Sequence, residues 1–261
     1  MRGVEVPGFP AGNLHDIPDA AFEHVFAALG EAGIRVNCLG SALGNWAAKL
    51  DAPFEPELAS ARRAAQRARR LGADFIRIMS YPVGDVDNLR QEERYRRLRE
   101  FVAIFADTGT AVLHENCSNY GGMSWRHSLE LVEQVPGLKL VFDMGNCVGT
   151  PDYSRPEPRP MQDALEFYQR TRAHIAYVHI KDARFDSAAG KRIHTFAGEG
   201  EGHVREILRD LLATGYTGGL SIEPHLGAGL DAPALAEAEN KYQTYVRYGK
   251  QFEQILVSLT A

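Results

Sequence analysis

The chain has 261 residues, 44 % of them hydrophobic and 24 % charged, with a formal net charge of -5; that make-up suits a folded protein with a sizeable core. The negative balance argues against a nucleic-acid surface. No apolar run approaches the ~20 residues of a membrane span, and the N-terminus lacks the apolar centre of a signal peptide. Three scattered cysteines make no disulfide framework and point to a reducing cytoplasm.

Taken in order, RGVEVPG (2–8) reads as a short strand. Asp16 to Ala32 reads as a helix with Pro18 in its first turn and Gly33 just past its end. IRVNCLG (34–40) is the next strand, and ELASARRAAQRARRLG (57–72) the next helix, closed by a glycine. FIRIMS (75–80) is a strand, followed by an Arg- and Glu-rich helix from Leu89 to Asp107. Two more strands end at Glu115 and Asp143, with a helix near Trp125–Gln134 between them that Ser124 caps. A Pro-rich connection then leads to a helix near Met161–Arg172 and to IAYVHIKD. A polar loop, Arg184 to Gly202, precedes the helix HVREILRDLLATG and the strand GLSIEPH; Pro233 to Leu259 is a final helix. This alternation means βαβ units and a parallel sheet. It predicts one domain over 1–261, a (β/α)8-type TIM barrel in which seven strands are visible. A closed barrel of this type has eight, so the first βα unit is expected to lie upstream of Met1.

The last four strands carry the chemistry. Each apolar run ends on a metal-ligand type: Glu115, Asp143, His179 and Glu223. Carboxylates avoid strand interiors, so these residues belong at strand ends. Their separations each match about one strand–helix unit, so a barrel would bring all four to one mouth. Residues two apart on a strand share a face. His114 therefore turns away, while Lys181 joins His179 and His225 joins Glu223. A lone acid at a strand end is usually a cap or an ion-pair partner, but four in register on successive strands are hard to explain that way. Three carboxylates and one imidazole favour Mn²⁺, Mg²⁺ or Co²⁺ over a thiolate-type zinc.

The motifs LHEN, LVFDMGN, YVHIKD and AGEGEGHVREILRDLLATGYTGGLSIEPH resemble the sugar-phosphate isomerase/epimerase family of xylose-isomerase-like barrels. The resemblance covers about residues 70 to 225 and, more loosely, the start. That superfamily also holds tagatose epimerases, inosose dehydratases and apurinic-site endonucleases. The resemblance implies one divalent ion on Glu115, Asp143, His179 and Glu223, with Mn²⁺ expected and Mg²⁺, Co²⁺ or Zn²⁺ as alternatives. It further implies that Glu115 and Glu223 act as the acid/base pair and that Lys181 lies near substrate hydroxyls or a phosphate. One departure stands out. Tagatose-type epimerases carry Asp-x-x-His, whereas this chain has Asp143-Met-Gly-Asn146. Asn146 hydrogen-bonds a substrate oxygen in this reading but does not titrate near pH 7.

The chemistry expected is proton removal next to a carbonyl, through an enediolate stabilised by the metal. Two carboxylates on opposite faces would invert a centre. One carboxylate serving two adjacent carbons would interconvert aldose and ketose, and loss of a β-hydroxyl would make an inosose-type dehydratase. The substrate is thus a small sugar, sugar phosphate or polyol, with no nucleic-acid or membrane partner and with a homo-oligomer allowed. Competing readings are a catalytically inactive ligand-binding barrel and an apurinic endonuclease. The endonucleases need three zinc ions and further strand-end histidines, which the early strands here lack.

Other features have plainer explanations. The Arg62, Arg63, Arg67, Arg69 and Arg70 run reads as a solvated helix face opposite an alanine stripe. The glycines of AGEGEG (197–202) precede a helix and suit either a phosphate site or a flexible loop. Arg184 and Arg192 offer charge for such a phosphate, and Arg184 enters the expected substrate-binding set with Asn146 and Lys181. Cys117 and Cys147 read as packing residues, and Tyr81 and Trp125 as pocket walls or core.

Overall fold

The computed structural model describes residues 3–6, 8, 12–226 and 234–260. The strands are β1 (Val4–Val6), β2 (Val36–Gly40), β3 (Phe75–Ile78), β4 (Ala111–Glu115), β5 (Lys139–Asp143), β6 (Ile175–Ile180), β7 (Asp182–Asp186), β8 (Lys191–Thr195) and β9 (Gly219–Ile222). The helices are α1 (Asp19–Glu31), α2 (Glu55–Leu71), α3 (Gln91–Phe105), α4 (Trp125–Gln134), α5 (Met144–Cys147), α6 (Ala164–Thr171), α7 (Val204–Ala213) and α8 (Ala234–Thr260). Seven strands form one sheet in the order β1-β2-β3-β4-β5-β6-β9, while β7 and β8 pair separately as an antiparallel hairpin. Among the described residues there is no eighth parallel strand, as the sequence led us to expect. No described helix is long and apolar enough to cross a membrane.

The described residues fall into two compact units, 1–141 and 142–261. In the first, Ile76, Ile78 and Val112 of the sheet are buried, as are Leu98, Phe101 and Phe105 of α3. The alanine stripe of α2, namely Ala61, Ala64, Ala65 and Ala68, is fully buried or nearly so, because small side chains let a helix backbone lie close to its neighbours. Helix α2 stops at Gly72, whose left-handed backbone returns its N–H to the Ala68 and Arg69 carbonyls. In the second unit, Phe142 stacks on Phe167 with ring centroids 5.6 Å apart, and Ile207, Leu208 and Leu211 bury the inner face of α7. Ser124 caps α4 by accepting from the His127 N–H at 3.4 Å, the role its sequence position suggested.

The arginine run of α2 differs from the expected solvated face. Arg67 is only 4 % exposed; it donates to the Leu14 carbonyl at 2.8 Å and pairs with Asp19 at 2.6 Å. Arg63 donates to the His15 carbonyl at 3.0 Å and pairs with Asp16. Long side chains here satisfy the carbonyls of an irregular segment and the N-terminal acid of α1, which no periodicity reveals.

The stretch expected as a polar loop from Arg184 is largely the β7–β8 hairpin, with Ala183 opposite His194 and Phe185 opposite Arg192. Opposed residues of an antiparallel pair share a face. Arg192 uses that face to donate to the Val148 carbonyl at 2.6 Å, the Asn146 carbonyl at 3.0 Å and Thr150 Oγ1 at 2.7 Å.

Candidate metal centre

Strand register explains which side chains gather. Glu5 lies level with Cys38, Cys38 with Phe75, Arg77 with Leu113, and Glu115 with Val141. Neighbours in register and residues two apart share a face, so Glu5, Arg77, Glu115 and Asp143 line the same side. On the other edge His179 is level with Ser221, which places Glu223 two residues on, beside Lys181. Glu115, Asp143, His179 and Glu223 each offer one ligand atom, and these atoms lie within 4.8 Å of one another. Glu115, Asp143 and His179 are buried and Glu223 is half-buried.

In the second unit the distances are tight. His179 Nδ1 is 3.2 Å from Glu223 Oε2 and 3.8 Å from Asp143 Oδ2. Lys181 Nζ lies 2.7 Å from Asp143 Oδ2 and 3.2 Å from Glu223 Oε2. The expected side-sharing of Lys181 with His179 and of His225 with Glu223 is present, His225 Nε2 being 3.5 Å from Glu223 Oε1. Burial works to raise the pKa of Glu223, but His179 and Lys181 outweigh it and hold the carboxyl well below the usual range. Asp143 Oδ1 also accepts the Asn146 N–H at 2.8 Å, capping the single turn α5. Asn146 thus serves the site at least through its backbone, its carbonyl taking Thr150 Oγ1 and Arg192.

In the first unit Glu115 is held by Arg77, whose Nη1 bonds its Oε2, while Arg77 Nε lies 3.3 Å from Glu5 Oε1. The sequence reading passed over both Arg77 and Glu5. Their signal was a charge placed between Val4 and Val6, and another between Ile76 and Ile78. His114 turns away from Glu115 as alternation requires; it is fully buried and bonds Ser80 Oγ at 2.9 Å and Asn119 Oδ1 at 3.1 Å.

Not every expected residue joins the cluster. Arg184 is exposed, on the hairpin face opposite Ala183 and His194, and no described hydrogen bond brings it to Lys181. His194 is there instead, its ring 4.9 Å from that of His225; burial and the adjacent His225 lower its pKa to about 4. Tyr81 is wholly buried and donates to Glu57 at 2.6 Å, so it is core and no pocket wall.

The phosphate reading of AGEGEG does not survive. The N–H groups of Gly198, Gly200 and Gly202 all donate to the Asp182 carboxylate, each at 2.9 Å. A fourth comes from Ala183, also at 2.9 Å. A Cβ on Gly200 would sit 2.3 Å from the Ala183 carbonyl oxygen. The glycines are there to let the backbone close around an internal anion, and their donors are already used.

A sequence model described as the xylose isomerase-like TIM barrel matches residues 1–245. The chain belongs to that family. No curated protein matches the chain in sequence. Among solved structures, a xylose isomerase-like TIM barrel protein from Mycobacterium smegmatis in complex with magnesium is 20 % identical. It matches with a TM-score of 0.67 over 95 % of this chain and 81 % of its own. A D-tagatose 3-epimerase-like protein matches at 0.63 and 18 % identity, over 92 % and 84 % of the two chains. The probable 3-DHS dehydratase AsbF from Bacillus anthracis matches at 0.59 and 20 % identity, over 86 % and 82 %. At such identities the likeness is one of fold. Within the xylose isomerase-like barrel, the buried Glu/Asp/His/Glu group has the donors and spacing for one divalent ion.

Proposed function

We propose that this xylose isomerase-like barrel is a divalent-metal-dependent isomerase or epimerase of a small sugar, sugar phosphate or polyol, with residues 1–261 acting as one domain. The observation that supports it is the convergence of Glu115, Asp143, His179 and Glu223. Such a donor set is rich in oxygen and suits Mn²⁺, with Mg²⁺, Co²⁺ or Zn²⁺ as alternatives. When bound, the ion supplies Lewis-acid polarisation of a substrate carbonyl. Glu115 and Glu223 are the acid/base pair: one takes the proton from the carbon beside the carbonyl and the other returns one. Asp143 and His179 act as ligands only. Arg77 holds Glu115 fixed in direction. Asn146 and Lys181 orient substrate oxygens; Arg184, exposed on the hairpin, falls out of this set.

One observation favours a second reading, the inosose-type dehydratase. Lys181 places a buried ammonium beside Glu223, an acid able to protonate a departing β-hydroxyl. A fold neighbour named as a dehydratase is in keeping with it. The deciding experiment is a panel of ketoses and inososes in D₂O with Mn²⁺. Deuterium at a carbon-bound position with the skeleton intact supports the isomerase or epimerase, and loss of water supports the dehydratase. A protein that binds no divalent ion and exchanges no proton overturns both.

A further inference from the structure

Lys181 is 3 % exposed, and its ammonium sits 2.7 Å from Asp143 and 3.2 Å from Glu223. Both partners are proposed ligands, and Glu223 in turn lies 3.2 Å from His179. The ammonium therefore takes up attraction that a divalent ion would otherwise receive. We infer that Lys181 is the site's built-in counter-cation: it holds Asp143 and Glu223 together without metal and weakens the binding of the metal.

The physical argument has two sides. Two carboxylates held this close repel, and the repulsion grows as water is excluded. One ammonium between them offsets it, so the ligand geometry exists before an ion arrives. The same charge opposes the incoming ion, since two cations would share the same oxygens at short range. Lys181 is also built in: a Cβ on Gly145 would lie 2.8 Å from Lys181 Cγ and 3.1 Å from its backbone carbon. The glycine of LVFDMGN thus leaves room for the lysine stem beside the ligand turn. By contrast, Arg77 pairs Glu115 with Glu5, which is outside the ligand group. Its charge is balanced whether or not metal is present. Lys181 is paired with two proposed ligands at once, so its balance changes when metal binds.

The inference rests on the metal reading proposed above, and the test separates the two. Mn²⁺ is titrated calorimetrically into the full chain as wild type, Lys181→Gln, Lys181→Arg and Lys191→Gln. Lys191 is exposed on the hairpin and controls for the loss of one charge elsewhere. Thermal melts are run with chelator and with Mn²⁺. The expected result is at least about tenfold tighter Mn²⁺ binding for Lys181→Gln alone. That variant also melts lower than wild type in chelator and is rescued by Mn²⁺. Lys181→Arg and Lys191→Gln stay near wild-type affinity. Equal or weaker binding by Lys181→Gln overturns the inference while leaving the metal reading standing. Failure of Lys181→Gln to fold even with Mn²⁺ overturns it too, by showing a purely structural lysine. No Mn²⁺ binding by any form sinks both ideas.

Discussion

Asp143 and Asp182 are both fully buried carboxylates within a motif, FDMGN in one case and HIKD in the other. Asp182 has its oxygens bonded to four backbone N–H groups, so nothing remains for chemistry. Burial raises its pKa, and those N–H groups offset only part of the rise. Asp143 gives Oδ1 to one N–H and turns Oδ2 to Lys181 and His179. A saturated acid organises the chain, whereas an acid facing a cation and an imidazole is ready to exchange partners. Burial alone does not tell them apart, but the identity of the donors does.

The largest expected effect falls on the chemistry side of that contrast. Glu223→Gln or Glu115→Gln keeps a ligand oxygen but removes the base, so proton exchange should fall about 10²–10⁴-fold. Exchange into D₂O by each variant checks this, and normal rates in both would refute the pairing of roles.

Next comes the contrast itself. Asp182→Ala strands several buried N–H groups and should cost roughly 3–5 kcal/mol of stability, seen as a shift in the urea midpoint. Asp143→Ala loses one cap bond, on the order of 1 kcal/mol, and its pair with Lys181, whose ammonium keeps Glu223 as partner, yet should weaken Mn²⁺ binding by at least about tenfold. The two acids would prove interchangeable if Asp143→Ala were the less stable of the pair.

A third test is pH. Burial lowers the pKa of His114 to about 4 from an ordinary 6.5. The unfolded chain therefore binds a proton that the folded chain refuses, and stability falls as pH drops from about 6.5 to about 4. The loss attributable to this residue is on the order of 3 kcal/mol. Denaturant midpoints of wild type and His114→Gln across that range should converge toward acid; parallel curves would argue against it. The smallest effect is Ser124→Ala, with a cap loss of about 1 kcal/mol and no change in metal affinity.

Much of this was readable from residues. The seven strands were visible because apolar runs alternate with amphipathic helices, and the Glu/Asp/His/Glu group because a carboxylate or histidine closes each late run. Other parts had no local signal. Three of the four partners of Asp182 are backbone N–H groups 16 to 20 positions away, and a backbone donor leaves no mark on residue type beyond glycine. Arg67 looks like its solvated neighbours in sequence, and only its partners, the Leu14 carbonyl and Asp19, distinguish it. The hairpin was missed because its strands are short and polar, with little apolar alternation. Arg77 and Glu5 were passed over because each was read singly, while their meaning lies in the register between strands.

The hairpin divides its own sequence into constrained and free parts. Arg192 stitches it to the carbonyls that follow the Asp143 turn, whereas residues 187–190 at the tip are all exposed. Evolution can lengthen or recolour that tip at little cost while Arg192 stays put. For the same reason a fluorophore or affinity tag inserted there would report on this edge of the molecule without disturbing the acid it frames.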